Sequence, residues 1–287
     1  MRIVVASGKG GTGKTTIATS LALVAAEQEA VRFLDCDVEA PNAALFLDPV
    51  LDTRVEVGIL IPEVDESICT FCGKCAEACQ FHAIAVICKR TLVFPELCHG
   101  CGSCTLVCPE NAISEYLDVM GVLESGPTAH GIDFAQGVMN IGEPMAVPII
   151  RELKKWEAIP PLSGRLLEIR DAPPGASCPV VETMRGADFA LLVTEPTPFG
   201  LHDLKQVVEI TRELGLPTGV VVNRNGIGDN AVQAYCEEMG LPILMRIPME
   251  RRIAEAIAGG KTLVEVAPEY RPQFQSLLKT ILAGVGV

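Results

Sequence analysis

The sequence predicts an α/β fold with a mostly parallel, doubly wound sheet, and three observations favour it. Short apolar segments alternate with helical segments along most of the 287 residues, which is typical of repeated βα units. Hydrophobic residues make up 49% of the chain but aromatic residues only 5%, as expected for strands that are buried on both faces. The first apolar segment runs directly into a glycine-rich turn, which is typical of the loop after a strand in such a sheet.

The elements of the first half follow from their apolar patterns. We expect strands at 3–6 and 31–34, a helix at 16–26, an outgoing strand at 55–61 and two returning strands at 119–125 and 132–139. Gly126 and Pro127 mark the expected turn between the two returning strands. The cysteine-rich segment between the outgoing and returning strands is therefore an insertion.

The second half alternates regularly. We expect helices at 146–156, 200–214, 229–239, 250–258 and 271–283, and strands at 165–170, 188–194, 218–223 and 242–247. This order predicts right-handed βα crossovers and helices on both faces of the sheet. The last helix places Phe274, Leu277, Leu278, Ile281 and Leu282 on one face. Because few of its residues are cationic, we expect this face to pack on the core rather than to bind a membrane.

Eight of the twelve cysteines form two copies of one spacing, C-x2-C-x2-C-x3-C. The first copy begins at Cys69 and the second, 29 residues later, at Cys98. This is the thiolate pattern of two cubane iron–sulfur clusters, in which each half gives three ligands to one cluster and its fourth cysteine to the other. The pattern predicts cluster one on Cys69, Cys72, Cys75 and Cys108, and cluster two on Cys79, Cys98, Cys101 and Cys104.

A zinc site is the alternative for these cysteines. Zinc sites usually pair two C-x2-C units at a longer separation, so two compact runs of four cysteines favour two [4Fe–4S] clusters. The segment 62–117 resembles a bacterial two-cluster ferredoxin over its whole length, and it departs from that pattern at Gln80, where a proline is usual. We therefore predict an inserted, α+β ferredoxin-like domain at 62–117 and a discontinuous main domain at 1–61 and 118–287.

The turn after the first strand has the sequence G-x4-G-K-[ST], from Gly8 to Thr15. Between a strand and a helix, this pattern indicates a P-loop, whose backbone N–H groups face phosphate oxygens at a helix N-terminus. Lys14 is expected to reach the β- and γ-phosphates, and Thr15 to ligate Mg²⁺. The alternative, a glycine-rich turn that binds no ligand, has nothing else in its favour.

An additional lysine, Lys9, stands early in this loop. With it, Lys9–Thr15 resembles the deviant P-loop of the MinD/ParA/Mrp-type ATPases, the class that includes the nitrogenase iron protein. In that class the early lysine crosses a dimer interface to contact the partner's nucleotide. The resemblance covers nearly the full length and extends to the MinD-superfamily ATPases that carry an inserted ferredoxin domain, through segments 35–42, 141–143 and 193–205.

The resemblance implies roles for residues at the ends of predicted strands. Asp37 would position the attacking water, Asp171 would contact Mg²⁺ through water, and Asn223 would read the purine edge. Their shared location is where α/β sheets bind ligands, which favours these roles over helix caps or turns. The predicted ATP/ADP-binding set is Gly8, Lys9, Gly10, Gly11, Thr12, Gly13, Lys14, Thr15, Thr16, Gly175, Asn223, Arg224 and Pro248, with Lys9, Lys14, Asp37 and Asp171 catalytic and Thr15, Asp37 and Asp171 at Mg²⁺.

Four cysteines lie outside the repeat: Cys36, Cys88, Cys178 and Cys236. By default each is expected to be a small buried hydrophobic residue. Cys178 resembles, by its offset from Asp171, a cysteine that ligates a cluster shared between two subunits of the nitrogenase iron protein. The companion cysteine of that protein is missing here. An interface metal on Cys178 is therefore a hypothesis, and simple packing is its alternative.

Composition and resemblance together define the expected function. A net charge of −13 gives the chain no overall attraction for nucleic acid or anionic lipid. No segment approaches the roughly 20 apolar residues that cross a bilayer, so we expect a cytoplasmic protein without stable membrane insertion. The expected activity is Mg²⁺-dependent ATP hydrolysis in a homodimer, or in a heterodimer with a paralogous ATPase.

Three uses of that activity compete. The resemblance favours assembly or insertion of a metal cofactor into a client metalloprotein. The second use is ATP-gated electron transfer to a redox partner. The third, spatial organisation on DNA or membrane, is disfavoured by the acidity of the chain.

Overall fold

Nine strands form one sheet in the computed structural model, which describes residues 1–156 and 166–284. The strands of this sheet are β1 Arg2–Ala6, β2 Ala30–Asp35, β3 Thr53–Val64, β6 Ile113–Pro127, β7 Asp133–Met139, β8 Leu166–Asp171, β9 Phe189–Thr194, β10 Thr218–Asn225 and β11 Ile243–Pro248. Their order is β11-β10-β9-β1-β8-β2-β7-β6-β3. From β11 to β7 all neighbours are parallel, whereas β6 and β3 add two antiparallel strands at one edge. The mostly parallel α/β sheet is therefore confirmed.

Helices cover both faces of the parallel part. The α-helices are α1 Lys14–Ala25, α2 Ala44–Leu47, α3 Lys74–Ala78, α4 Ser103–Leu106, α5 Val147–Lys154, α6 Cys178–Met184, α7 Pro198–Glu213, α8 Ala231–Met239, α9 Arg251–Ala258, α10 Leu263–Val266 and α11 Arg271–Gly284. Residues of β1 alternate between two apolar clusters, with Ile3 and Val5 in one and Val4 and Ala6 in the other. The sheet is thus buried on both faces, which explains its continuous apolar strands.

The predicted helix near the C-terminus packs on the core as expected. Phe274, Leu277, Leu278 and Ile281 of α11 are buried and join the cluster formed by α1 and one face of the sheet. Among the described helices, none is long and apolar enough to span a bilayer. The apolar face of α11 is therefore used inside the fold.

Two expectations need correction. Gly126 and Pro127 do not form a turn; they end β6 and pair with β7, and the chain reverses at residues 128–132 instead. A proline at the last pair of a strand costs little, because only one ladder hydrogen bond is lost. The short helices α2, α6 and α10 were not expected, because their four to seven residues are too few to show a helical period. Position 165 of a predicted strand lies outside the described residues.

The two edge strands form a ribbon that carries the cysteines. β3 pairs with β6 from Thr53 to Val64, but β6 pairs with β7 only from Gly121 onward. Residues 58–64 and 113–119 therefore extend beyond the main sheet as a two-stranded ribbon. The segment 65–112 is attached at its far end and holds α3, α4 and a hairpin of β4 Ile84–Ile87 and β5 Arg90–Val93. Both predicted boundaries, 61 and 118, fall within continuous strands.

A charged cluster joins α5 to α6. The Glu182 side chain is 10% exposed and accepts a hydrogen bond from Lys154 Nζ at 2.9 Å, and Arg151 lies at 3.3 Å. Burial opposes ionisation of Glu182, but the hydrogen bond and charge of Lys154, assisted by Arg151, hold its pKa below the ordinary value. This cluster links the helix after the ribbon strands to the helix after Asp171.

We expect Glu182→Gln to lower the free energy of unfolding at pH 7 by about 1–2 kcal/mol, because Lys154 loses a charged acceptor. A carboxyl whose folded pKa is depressed stabilises the fold above its unfolded pKa, so the difference should shrink as the pH falls below about 4.5. Urea denaturation of both proteins between pH 3.5 and 7 measures it. A difference that stays constant across that range would contradict the ionic origin.

Candidate functional site

A cavity of about 420 Å³ opens at the carboxyl ends of the parallel strands. Its size is within the range of small-molecule binding sites. The predicted residues that line it are Lys9, Gly10, Gly11, Thr12, Gly13, Lys14, Thr15, Thr16, Asp37, Asn223, Arg224 and Pro248. The fold therefore brings residues from four separate segments of the chain to one site.

Lys14 lies at the base of this cavity and forms a buried ion pair with Asp171. Its Nζ is 2.8 Å from Asp171 Oδ1, and Thr15 Oγ1 donates to Asp171 Oδ2 at 2.6 Å. Burial disfavours the charge on Lys14, but Asp171, with smaller contributions from Asp35 and Asp37, outweighs it and raises the lysine pKa. Lys14 is therefore a fixed positive charge at the N-terminus of α1.

Asp35, at the end of β2, is a buried carboxylate that the sequence reasoning missed. It accepts backbone N–H bonds from Asp37, Asn42 and Ala43 at 3.1, 2.9 and 2.9 Å. Burial, followed by the nearby charge of Asp171, raises its pKa to about 7. These bonds fold residues 37–43 into a compact loop that presents Asp37 to the cavity. Burial also raises the pKa of Asp37, against the opposing charge of Lys14.

Lys9 is held within its own chain. Its Nζ contacts Glu195 Oε1, and Arg224 binds the other oxygen of Glu195 at 2.9 Å. Burial disfavours the charge on Glu195, but Lys9 and then Arg224 lower its pKa. Glu195 follows β9 directly, so its position after a strand was the available signal. The prediction missed it because β9 lies beside β1 only in the folded sheet.

Other predicted residues hold the P-loop in place through close contacts. Asn223 Nδ2 donates to Thr12 O at 2.7 Å, next to Gly13. Gly8 packs so closely on the Asp203 backbone that a Cβ would lie 2.2 Å from its carbonyl oxygen. Gly175 N–H donates to Ser7 O at 2.9 Å. Gly8, Gly175 and the fully buried Asp171 do not line the cavity wall.

Of the residues that form one wall of the cavity, the sequence predicted only Pro248. After Pro248, it continues through Met249, Glu250 and the α9 residues Ile253, Ala254, Ile257 and Ala258, and Phe46 also lines the cavity. The spacing 250, 253, 254, 257 was the sequence signal, since it marks one face of a helix. This side of the cavity is mainly apolar, whereas the P-loop side presents backbone N–H groups and Lys14.

The eight repeat cysteines line two small cavities at the end of the ribbon. Four of them, Cys69, Cys72, Cys75 and Cys108, surround one cavity, and the other four, Cys79, Cys98, Cys101 and Cys104, surround the other. Each set combines three cysteines of one half with the fourth cysteine of the other half. Among the described residues, no group of three or more His, Cys, Asp or Glu side chains is arranged to hold a single metal ion.

Backbone N–H groups donate to four of these sulfurs in a repeated pattern. Phe71 N is 3.4 Å from Cys69 Sγ, and its counterpart Gly100 N is 3.4 Å from Cys98 Sγ. The equivalent bonds to Cys79 and Cys108, from Ala83 and Ala112, are both 3.3 Å. Such donors stabilise thiolate charge. The repeat thus preserves these N–H donors to sulfur as well as the cysteine spacing.

The linings of the two cavities differ at equivalent positions. The rings of Phe81 and His99 stack with centroids 3.8 Å apart beside the cavity of Cys79 and Cys98. In the other cavity the equivalent residues are Glu110 and Thr70, whose side chains lie 3.4 Å apart in a polar contact. One cavity is therefore covered by rings and the other by a hydrogen-bonded pair.

The remaining cysteines divide into two groups. Cys36 and Cys236 are buried, as expected, and burial raises the pKa of Cys36 to about 12. The expectation of burial was wrong for Cys88 and Cys178, which are exposed. Cys88 lies in the β4–β5 turn with a φ of 49°, and Cys178 begins α6. Neither thiol is therefore packed into the part of the chain that the structure describes.

A family model described as the CobQ/CobB/MinD/ParA nucleotide binding domain matches residues 3–264. The match includes both the P-loop and the wall formed by α9. The chain belongs to the MinD/ParA nucleotide-binding family. Membership agrees with the fold and with the cavity at the strand ends, and the fold is that of a P-loop ATPase.

Relatives of this MinD/ParA family member have been found in an archaeon. Over 235 residues the chain is 34% identical to the uncharacterized protein MJ0578 of Methanocaldococcus jannaschii, covering 80% of each. It is 30% identical over 272 residues to MJ0579 of the same organism, covering 92% of each. A shorter match, 27% over 119 residues, covers 34% of this chain and 36% of the cytosolic Fe-S cluster assembly factor NBP35 of Eremothecium gossypii.

Solved structures of the family share the fold. The septum site-determining protein MinD complexed with Mg-ADP from Pyrococcus horikoshii aligns with a TM-score of 0.58 at 21% identity, covering 100% of this chain and 98% of that one. A ParA family ATPase from Chlorobium tepidum aligns with a TM-score of 0.53 at 13% identity, covering 98% of both. These likenesses concern the fold alone.

We expect Gly13→Ala to lower the free energy of unfolding by about 1–3 kcal/mol, because Gly13 has a φ of 91° and a Cβ there would lie 2.4 Å from Asn223 Nδ2. Gly10→Ala is the matched control in the same loop. No atom lies within 4 Å of its added Cβ, so its effect should stay within about 0.5 kcal/mol. Denaturant unfolding of the nucleotide-free proteins compares them, and equal losses would refute the steric argument.

Proposed function

We propose that the chain is a Mg²⁺-dependent ATPase that carries two [4Fe–4S] clusters and uses ATP to drive assembly or insertion of a metal cofactor into a client protein. One observation carries the proposal. A P-loop cavity and two cavities of four cysteines each are built on the same sheet, at the strand ends and at the end of its edge ribbon.

The nucleotide chemistry follows from charges already in place. Lys14 would leave Asp171 for the β- and γ-phosphates, with the backbone N–H groups of the P-loop around them. Thr15 and Asp171, now bonded to each other, would hold Mg²⁺ directly and through water, with Asp37 nearby. Asp37 would orient the attacking water. Catalysis would then be mainly positioning and charge stabilisation.

The proposed active form is a dimer, as is typical of the MinD/ParA family. Lys9 would exchange Glu195 of its own chain for the nucleotide of the partner, where it would offset the charge that develops on the phosphates. Its side chain is 33% exposed, so it can reach outward once the Glu195 contact is broken. M. jannaschii has two relatives of this chain, which keeps a heterodimer of paralogous chains as an alternative to a homodimer.

The cysteine cavities support cluster binding by their composition. Each offers four thiolates, the number that a cubane takes, and two backbone N–H groups donate to sulfurs of each set. When bound, the clusters would supply one-electron chemistry. A single zinc ion fits less well, because zinc sites usually pair two C-x2-C units at a longer separation than these compact runs of four cysteines. This arrangement also supports the inserted ferredoxin-like domain.

Cofactor assembly and electron transfer are the two uses to separate. The resemblance to the Fe-S assembly factor NBP35 favours assembly, although it covers only a third of the chain. The adjacency of two cysteine cavities favours the second candidate, ATP-gated electron transfer, because two neighbouring clusters form a path. Cys178, exposed at the start of α6, remains a hypothesis for a metal held between two chains.

We expect anaerobically purified protein to contain about eight iron atoms per chain, and Cys72→Ser to lower iron content by about half, because one cluster loses a ligand. Cys88→Ser is the matched control, since Cys88 is also exposed but lines neither cavity. Iron and sulfide analysis with electron paramagnetic resonance measures the loss. Iron-free protein, or equal losses in both variants, would refute the cluster assignment.

The client determines which use is correct. We expect the Asp37→Asn variant, which traps ATP, to bind a client protein tightly enough for the two to be purified together. The client from cells that lack this chain should be poor in metal, because it has not received its cofactor. The double variant with Lys14→Ala, which cannot hold ATP, is the control. The measurement is metal analysis of the bound client, taken from cells that lack this chain and from cells that contain it. A retained redox enzyme that has its full metal content and is reduced in an ATP-dependent way would establish electron transfer instead.

A further inference from the structure

The ribbon leaves the main sheet at a β-bulge. Val57 pairs with Gly121 and Gly58 with Val119, so Met120 is an extra residue on β6. Both glycines are required here: a Cβ on Gly58 would lie 1.7 Å from Asp118 O, and one on Gly121 2.4 Å from Val138 O. Bulges bend and twist the strand that contains them, so this one sets the direction of the ribbon.

Asn140 binds both carbonyl groups of the bulge. Its backbone N–H donates to Met120 O at 2.8 Å, and its side-chain Nδ2 donates to Val119 O at 2.9 Å. Asn140 follows the last residue of β7, at the point where β6 loses its third-strand partner. Because Asn140 is exposed, water can replace either bond at small cost. The contact therefore orients the ribbon without locking it.

The same segment is bonded to the loop that presents Asp37. Met139 N–H donates to Val38 O at 2.9 Å, one residue from Asp37 on one side and from Asn140 on the other. The missing side chain of Gly137 lets Val38 pack there, since a Cβ would lie 2.6 Å from Val38 Cγ1. Val38 and Met120 are buried in one apolar cluster. A shift of the Asp37 loop would therefore either disrupt the packing of Val38 or displace the end of β7.

We propose that Asn140 is a positioning residue that transmits the nucleotide state of the Asp37 loop to the root of the cysteine-bearing ribbon. The inference rests on the proposed function, because it supplies the route by which ATP would reorient the clusters. The route is two hydrogen bonds long, from Val38 through Met139 to Asn140 and the bulge. Its two states are the bulge with and without the hydrogen bond from Asn140 Nδ2 to Val119 O.

Hydrogen–deuterium exchange of the full-length protein tests the route. At the ribbon root, residues 57–60 and 117–121, we expect exchange rates with the ATP analogue AMPPNP and with ADP to differ by about five-fold or more. In Asn140→Ala the difference should fall below about two-fold, while the affinity for both nucleotides is unchanged. Asn140→Asp, which has the same shape without the donor, should behave like the alanine variant.

Asn230→Ala is the matched control, because Asn230 caps α8 without a side-chain hydrogen bond, and it should keep the wild-type difference. A wild-type difference retained in both Asn140 variants would overturn the route. So would equal exchange with AMPPNP and ADP in wild-type protein that binds both nucleotides and holds its iron. Failure to bind iron or nucleotide would instead refute the proposed function, and it is detected separately by iron analysis and calorimetry.

Discussion

The buried contact between Lys14 and Asp171 organises the whole nucleotide site. Asp171 ends β8, and its side chain binds both Lys14 and Thr15 at the start of α1. Its backbone carbonyl accepts from Cys36 at the end of β2. One residue therefore joins the P-loop to the loop that presents Asp37. Breaking a buried pair of this kind leaves an uncompensated charge. The P-loop, the loop that presents Asp37 and the segment after Asp171 are therefore expected to move together.

The charge balance at this point explains why the site suits a cation and a phosphate. Asp35, Asp37 and Asp171 share a single ammonium group, that of Lys14. Burial, followed by the charge of Asp171, raises the pKa of Asp35 to about 7, although Lys14 opposes this shift. A divalent cation would offset the excess of carboxylates, and phosphate oxygens would replace Asp171 as partners of Lys14. The same residues thus bind one another in this structure and would bind the cation and the phosphate.

Local patterns were sufficient for most of the main domain. The strand, glycine-rich turn and helix around Lys14 were predicted because each carries its own signal in adjacent residues. Glu195 was missed because its partner Lys9 is distant in sequence and comes near only when β1 and β9 lie side by side. Asp35 was missed because its burial beside Asp171 arises only when β2 and β8 pair. The turn predicted at Gly126 and Pro127 was wrong, because both residue types are tolerated at the end of a strand as well as in a turn, and here they end β6. The cysteine spacing predicted the two sets that surround the cavities, but not the length of the ribbon that carries them.

The stacked pair of Phe81 and His99 has a consequence for the duplicated segment. Duplication begins with two interchangeable halves, and here the cysteines and the N–H donors to sulfur have kept that equivalence. The lining residues have not, because rings occupy one half where a threonine and a glutamate occupy the other. Identical groups placed in the two cavities would meet surroundings of different polarity and hence hold an electron with different strength. The two halves of the repeat are therefore no longer equivalent. An electron would be held more strongly at one cavity than at the other, which gives electron transfer between them a preferred direction.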